Sequence, residues 1–508
     1  MRKLKPRRTL KIILAIALVI LTVPFTACKV GGPQIPTGPG GSSNAIKPYE
    51  PNTPIPTGQI VNLMAKLKAK PDVKAAETDA DRAALLNDFT VRLIQAQLAE
   101  REKKQKNKEN FLLSPYVMQN VLTMVANGAA GDTLTEMLTV LYGEVGKTGD
   151  DSSGGESGEA DKAGGKSGEA GKAGDDKPGD KTAADKLRAL NELMLGTRRD
   201  SERTLRQLFI NGSIWYRTDA DDLRVNPDFL QTNADYFGIP TFGAPFNDAT
   251  VKAMNDLIAE QTKGLVKEII EELTPDNCIA LFSTLLFEAK WLHPFESGYE
   301  AENWFTNIDG KQQTVRAMGI SGESVFAVKG GQAVLRPYEG ENYGMLIILP
   351  DEGTLPTDLL KSWTADDWYS AIIDSQRNTS GTRSYAAISL PAFAFGTELD
   401  DMMPALKAMG MELVFDSAAA DLSRMGSSTI GNLYVSELGH KAKIVVNEQG
   451  TIAAAVGYAM VSRESAAAEF LLFNRPFAYA IVDLNTGVPY FVGAMNSIDE
   501  TPPPTFKD

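Results

Sequence analysis

The sequence is poor in the residues that carry most protein chemistry. Its 508 residues include two cysteines and two histidines. Cys28 and Cys278 cannot build a disulfide framework or a zinc ribbon. His293 and His440 are too few for most histidine-based metal centres. A Ser-His-Asp hydrolase would have to rest on one of these two, and no Gly-x-Ser-x-Gly elbow accompanies either. Gly165-Lys166-Ser167 lacks the preceding strand and the glycine spacing of a phosphate loop. Glu268, Glu271 and Glu272 lie at helical spacing and read as a solvated face, not a cation site. No metal, cofactor or catalytic residue is therefore expected.

Charge is also one-sided. Residues 1–11 hold Arg2, Lys3, Lys5, Arg7, Arg8 and Lys11 without an acid, and the apolar run Ile12 to Val23 follows. Thr26-Ala27-Cys28 then offers a small residue before a cysteine. These are the three parts of a secretory signal, and the run is short for a membrane span. The cysteine placement resembles a bacterial lipobox. It implies cleavage after residue 27, acylation of Cys28 and export of the rest; an uncleaved anchor is the alternative. More than one acyl chain would anchor stably, at about 0.8 kcal/mol per buried methylene. Loss of 1–27 leaves 45 basic against 65 acidic residues, a net charge of −20. That surface disfavours nucleic acid as a partner. Cys278, in an apolar stretch, reads as a buried, inert thiol.

Two segments carry little that could be buried. Residues 28–58 are rich in Gly, Pro, Ser and Asn and read as a tether. Residues 144–185 hold the near-repeats 157–164 and 167–174 and read as a disordered, low-complexity insertion. The tail 499–508 is proline-rich. The folded domain is then 59–498, interrupted by that insertion. Within it, 79–104 reads as a helix with Leu86, Phe89, Leu93 and Ala96 on one face and Thr78 or Asp79 as cap. Helices are also expected over Val117–Ala126, Thr133–Tyr142, Asn226–Phe237 and Ala249–Gln261. Strands are expected over Ile279–Glu288, Met345–Leu349, Ala386–Leu390, Ala442–Val446, Phe477–Val482 and Pro489–Gly493. Helices dominate the first half and strands the second, an α+β order.

The most unusual stretch is 447–465. From Gly450 to Ser462 it has neither charge nor proline, so nothing in it resists entry into a buried sheet. Thr451, Ala453, Ala455, Gly457 and Ala459 form a small alternate set; Ile452, Ala454, Val456, Tyr458 and Met460 form the other. On a strand the two sets face opposite sides. Alanine and glycine are weak strand formers, so the segment can enter a sheet without being committed to it.

The surrounding residues resemble the serpins, a family of protease inhibitors. Glu448-Gln449-Gly450-Thr451 with Ala453-Ala454-Ala455 is similar to the hinge of the serpin reactive-centre loop. Phe473-Asn474-Arg475-Pro476-Phe477 and the hairpin Asp483 to Gly493 match the strands after that loop. Asn110, Ser114, Pro115, Met124, Gly128, Gly131 and Thr133 resemble the second and third helices, and Asn255, Thr262 and Gly264 the sixth. Trp291, Pro294, Phe295, Leu349 to Gly353, and His440-Lys441-Ala442 complete a likeness that covers 79–498. Three positions depart from the pattern. Ser283 stands for an asparagine, Val117 for a serine and Leu257 for an aromatic.

The resemblance implies large mixed sheets, an exposed reactive loop and a monomeric suicide substrate, not an enzyme. A serine protease, or a papain-like cysteine protease, would cut the loop and be trapped as an acyl-enzyme when the loop enters the main sheet. The hinge would comprise Glu448, Gly450, Thr451, Ala453, Ala454 and Ala455. The region under the opening sheet would use Ser114, Pro115, Asn255, Trp291 and His440. Family spacing counted from Glu448 puts the cut after Glu464, and counted from Asn474 after Ser465. Arg463 would suit a trypsin-like pocket. A non-inhibitory serpin-fold binding or structural lipoprotein is the alternative; a charged or proline-bearing hinge would mark it.

Overall fold

The computed structural model describes residues 55, 57–143, 182–203, 207–218, 223–268, 270–273, 278–295, 303–377, 383–397, 400–429, 431–451 and 469–498. The signal, Cys28, most of the tether and of 144–185, the tail and residues 452–468 lie outside them. Ile55, expected in the tether, is instead buried in the main core.

The first long helix runs Ala80–Lys103, and the Asp79 carboxylate caps it by accepting from the Arg82 N–H at 3.0 Å. Leu86, Phe89 and Leu93 are buried; Ala96 is half-buried and Leu98 takes the next core place. The helix Pro115–Ala126 is buried at every residue, so it is a central element with no solvent face. Gly131–Tyr142 packs beside it. Asn226 caps Pro227–Thr232, which continues as the wider turn Asn233–Phe237. A further helix, Ala183–Arg203, begins three residues inside the segment read as low complexity. Residues 266–268 and 270–273 are extended or bent, not helical, and Glu268, Glu271 and Glu272 are exposed there.

Two large sheets carry the rest. The six-stranded sheet has the order Val61–Asn62, Thr241–Ala244, Leu208–Arg217, Ile279–Phe287, Val435–His440, Asp400–Asp401. Its centre is a parallel pair, Ile279–Phe287 with Val435–His440. The eight-stranded sheet runs Phe111–Leu113, Pro489–Met495, Phe477–Asp483, Tyr343–Pro350, Gly331–Pro337, Ala317–Val328, Arg383–Pro391, Glu469–Leu472. This is a mixed α+β architecture, as the element order implied.

Leu208–Arg217 was not among the expected strands, and it carries a glycine at its centre. The glycine is there for contact. A Cβ on Gly212 would sit 2.7 Å from the Phe282 carbonyl oxygen of the neighbouring strand. The helix Asp248–Gln261 lies against this sheet: Asn211 Nδ2 donates to the Gln261 carbonyl at 3.1 Å, and Gln261 Nε2 to the Gly212 carbonyl at 3.1 Å.

Each central strand continues into a second, four-stranded sheet. Ala289–Lys290 follows Ile279–Phe287, and Lys443–Asn447 follows Val435–His440. Its order is Phe393–Gly396, Lys443–Asn447, Gly450–Thr451, Ala289–Lys290. The stretch Gly450–Thr451 thus lies between the two continuations.

Candidate functional site

Asn447 starts the site by turning the chain back. Its Oδ1 accepts the N–H groups of Gln449, at 3.0 Å, and Gly450, at 3.2 Å. Thr451 thereby pairs with Val446 on one side and Ala289 on the other. Gly450 fits only because it has no side chain. A Cβ there would lie 2.1 Å from the Ala289 carbonyl oxygen. The Gln449 carbonyl accepts the Trp291 N–H at 2.9 Å, and the Glu448 carbonyl the Phe295 N–H at 3.0 Å. The Glu448 carboxylate faces Arg316 Nε at 3.5 Å.

Thr451 points into the protein and is 1% exposed. Its Oγ1 and the Tyr338 hydroxyl are hydrogen-bonded at 2.6 Å. Tyr338 stacks on Trp291 with centroids 4.5 Å apart, and Trp291 Nε1 donates to the Asn447 carbonyl at 2.9 Å. Below them Arg336 pairs with Glu323, donates to the His293 carbonyl and lies 4.1 Å from the Phe295 ring centre. His293 itself is exposed and contributes that carbonyl.

Below Thr451 the two walls are unpaired with each other over a short interval. Ladder pairing between them ends at His440↔Ser283 and returns only through the hinge at Val446↔Thr451↔Ala289. The walls keep one register across this interval. His440 is 157 residues beyond Ser283, and Val446 is 157 residues beyond Ala289. A strand continuing from Thr451 would therefore meet both walls without a bulge. It would set Ala453 between Ile444 and Phe287, Ala455 beside Ala442, and Gly457 between His440 and Ser283. Ile444, Val446, Phe287 and Ala289 belong to the main core, whereas Leu286 and Val445 pack on the opposite face with Phe209 and Leu265. The small set from Thr451 to Ala459 is thus the inward one in that register.

At the closed end, His440 Nε2 accepts the Ser114 N–H at 3.1 Å, and Ser114 Oγ donates to the Tyr490 carbonyl at 2.8 Å. Pro115 occupies the first helical position behind Ser114. His440 is fully buried, and burial pushes its imidazole down to about 4. Its Nδ1 has no partner among the described residues. Ser283, opposite, sends its Oγ to Met118 Sδ at 3.8 Å. Of the three sequence departures, Ser283 falls here, paired with His440 in the ladder.

The structure brings Ser114, Pro115 and His440 together at the closed end, and Trp291, Glu448, Gly450 and Thr451 together at the open end. Asn255 lies elsewhere, exchanging two hydrogen bonds with the Ile270 backbone at 2.8 and 3.2 Å. Ala453, Ala454, Ala455, Arg463, Glu464 and Ser465 lie outside the described residues. Cys278, expected buried, is half-buried where its strand begins, its N–H on Ser436 Oγ at 3.1 Å. Tyr338 and Arg336, which hold the hinge from below, were not singled out in the sequence.

A family model, serpin (serine protease inhibitor), matches residues 84–498. A serpin-like protein of Methanosarcina acetivorans is 25% identical over 396 residues, 77% of this chain and 81% of that one. The native-state crystal structure of a thermophilic serpin, tengpin, is 28% identical with a TM-score of 0.69, covering 87% of this chain and 100% of that one. The latent state of the same serpin gives 26% identity and a TM-score of 0.63, covering 84% of this chain and 100% of that one. The chain belongs to the serpin family, whose members are generally protease inhibitors and not catalysts.

Proposed function

We propose that this serpin is inhibitory: an exported protease cuts its reactive loop and is trapped as an acyl-enzyme when the loop enters the six-stranded sheet. The target is a serine protease, or a papain-like cysteine protease. One observation carries the reading. Thr451 is already seated as the first residue of an additional strand, and the walls below it share a single register. The residues that follow offer little volume and no charge to oppose insertion. No proline interrupts them.

The scissile bond lies among Arg463, Glu464 and Ser465, with Glu464–Ser465 favoured. Cys28 holds the molecule to the outer face of a bacterial membrane, and the monomer acts alone. The test is incubation with trypsin-like, glutamate-specific and subtilisin-like proteases. An SDS-stable complex with any of them is the expected result, together with a large rise in melting temperature of the loop-cleaved protein. Clean cleavage, with neither a complex nor a rise, would identify the non-inhibitory alternative. Loss of acyl label and membrane association in Cys28→Ser tests the anchor.

A further inference from the structure

The last strand of the eight-stranded sheet, Glu469–Leu472, begins four residues after Ser465. Among the described residues it is an edge strand, paired only with Arg383–Pro391. Leu471 faces the core and is 6% exposed, whereas Phe470 is 68% and Leu472 44% exposed on the other side. Phe470 pairs with Ala387, which puts Tyr385 diagonally next to it on the same face, and Tyr385 is 70% exposed. Three large apolar side chains thus form an outward triangle at the root of the loop. Edge strands are normally blunted by charge or proline, and Phe470 and Leu472 do the opposite.

We infer that this triangle is an auxiliary docking surface for the body of the target protease, recognising an apolar or aromatic patch beside its active-site cleft. The inference rests on the loop being the protease's point of attack. Four residues of chain span at most about 14 Å, so an enzyme holding the scissile bond must lie over this sheet edge. Three side chains are too few for a stable interface on their own, which needs about 800 Å² per partner. They suffice for a partner already held by the loop, because a second contact then forms at high effective concentration. A second copy of the chain fits less well. Each copy carries a net charge of −14, or −20 once 1–27 are lost, and like charge opposes association.

Tyr385→Ser is the cleanest probe, because Tyr385 lies on a different strand from the loop. The triple change Tyr385→Ser, Phe470→Ser and Leu472→Ser extends it. The readout is the second-order rate of loop attack by whichever of the three proteases named above reacts fastest. A free peptide covering 456–474, with and without the two loop-side changes, is the control. The expected result is a tenfold or larger fall for the triple variant and a smaller fall for Tyr385→Ser. The peptide rate and the number of inhibitor molecules consumed per trapped protease should not change. An unchanged rate overturns the inference. So does a wild-type protein that sediments as a dimer which the triple variant disperses. If wild type is attacked at a patch-dependent rate but forms no SDS-stable complex, the docking surface stands and the inhibitory reading falls. If no protease attacks the loop, both fall.

Discussion

Replacing Thr451 by arginine should turn the molecule from a trap into a substrate. The threonine is 1% exposed and its hydroxyl lies 2.6 Å from that of Tyr338. Losing that bond removes about 1 kcal/mol and leaves a buried phenol unsatisfied, a further 1–3 kcal/mol or so. Seating an unpaired guanidinium among Phe287, Tyr338 and Val446 adds several more, so about 4 kcal/mol is a lower bound. The hinge would escape this in the uncut protein by leaving the sheet, but the inserting loop could not. At about 1.4 kcal/mol per tenfold, insertion slows by roughly a thousandfold. If wild-type insertion outruns deacylation by about a hundredfold, deacylation then wins by about ten to one. The assay is the yield of SDS-stable complex at equal inhibitor and protease, with Thr451→Ser as the control that keeps the hydroxyl. Wild-type yield from Thr451→Arg would refute the claim that this side chain must be buried for trapping.

Three further outcomes follow from the same geometry. Gly450→Ala should expel the hinge without adding charge, because its Cβ meets the Ala289 carbonyl at 2.1 Å; limited proteolysis near 450 should speed up, and an unchanged digest would contradict the contact. Tyr338→Phe should weaken hinge docking by about 1 kcal/mol, roughly fivefold, and shift the fluorescence of Trp291 stacked upon it; an unaltered spectrum would count against the bond. His440 titrates at about 4 when folded, against about 6.5 unfolded, so the unfolded chain binds the extra proton between these values. The histidine's contribution to stability should therefore fall by about 3 kcal/mol as pH drops from about 6.5 to 4, and stay level below. Urea midpoints across that range should slope more steeply for wild type than for His440→Gln, and equal slopes would remove the histidine from the account.

Much of this arrangement could be read from residue order. The caps, the buried faces of the early helices and the α+β division follow from short-range patterns, and Asp79 and Asn226 stand where a cap is needed. The small alternate set beginning at Thr451 announced a strand without fixing which side faces inward; the pairing with Val446 and Ala289 decides it. Other features had no local signal. Tyr338 meets Thr451 across 113 residues, and nothing in the spacing around Arg336 marks it as the support of an aromatic stack. The strand Leu208–Arg217 was not anticipated, and the close approach that requires a glycine at 212 shows only once Phe282 of the neighbouring strand is in place.

The shared register of the two walls also sets a length. Each residue added below Thr451 moves one place down the strand that begins at Ile279, so Val461 would end opposite Ile279 itself. Thr451 to Glu464 is thirteen steps, about 43 Å of travel for whatever is bonded to the cut end. On insertion the sheet would use eleven residues of loop, Thr451 to Val461, leaving two to four to reach Arg463, Glu464 or Ser465. So short a leash would press the cargo against the far pole of the molecule instead of letting it hang free. Lengthening that leash by a few residues is a way to separate carrying a protease from crushing it.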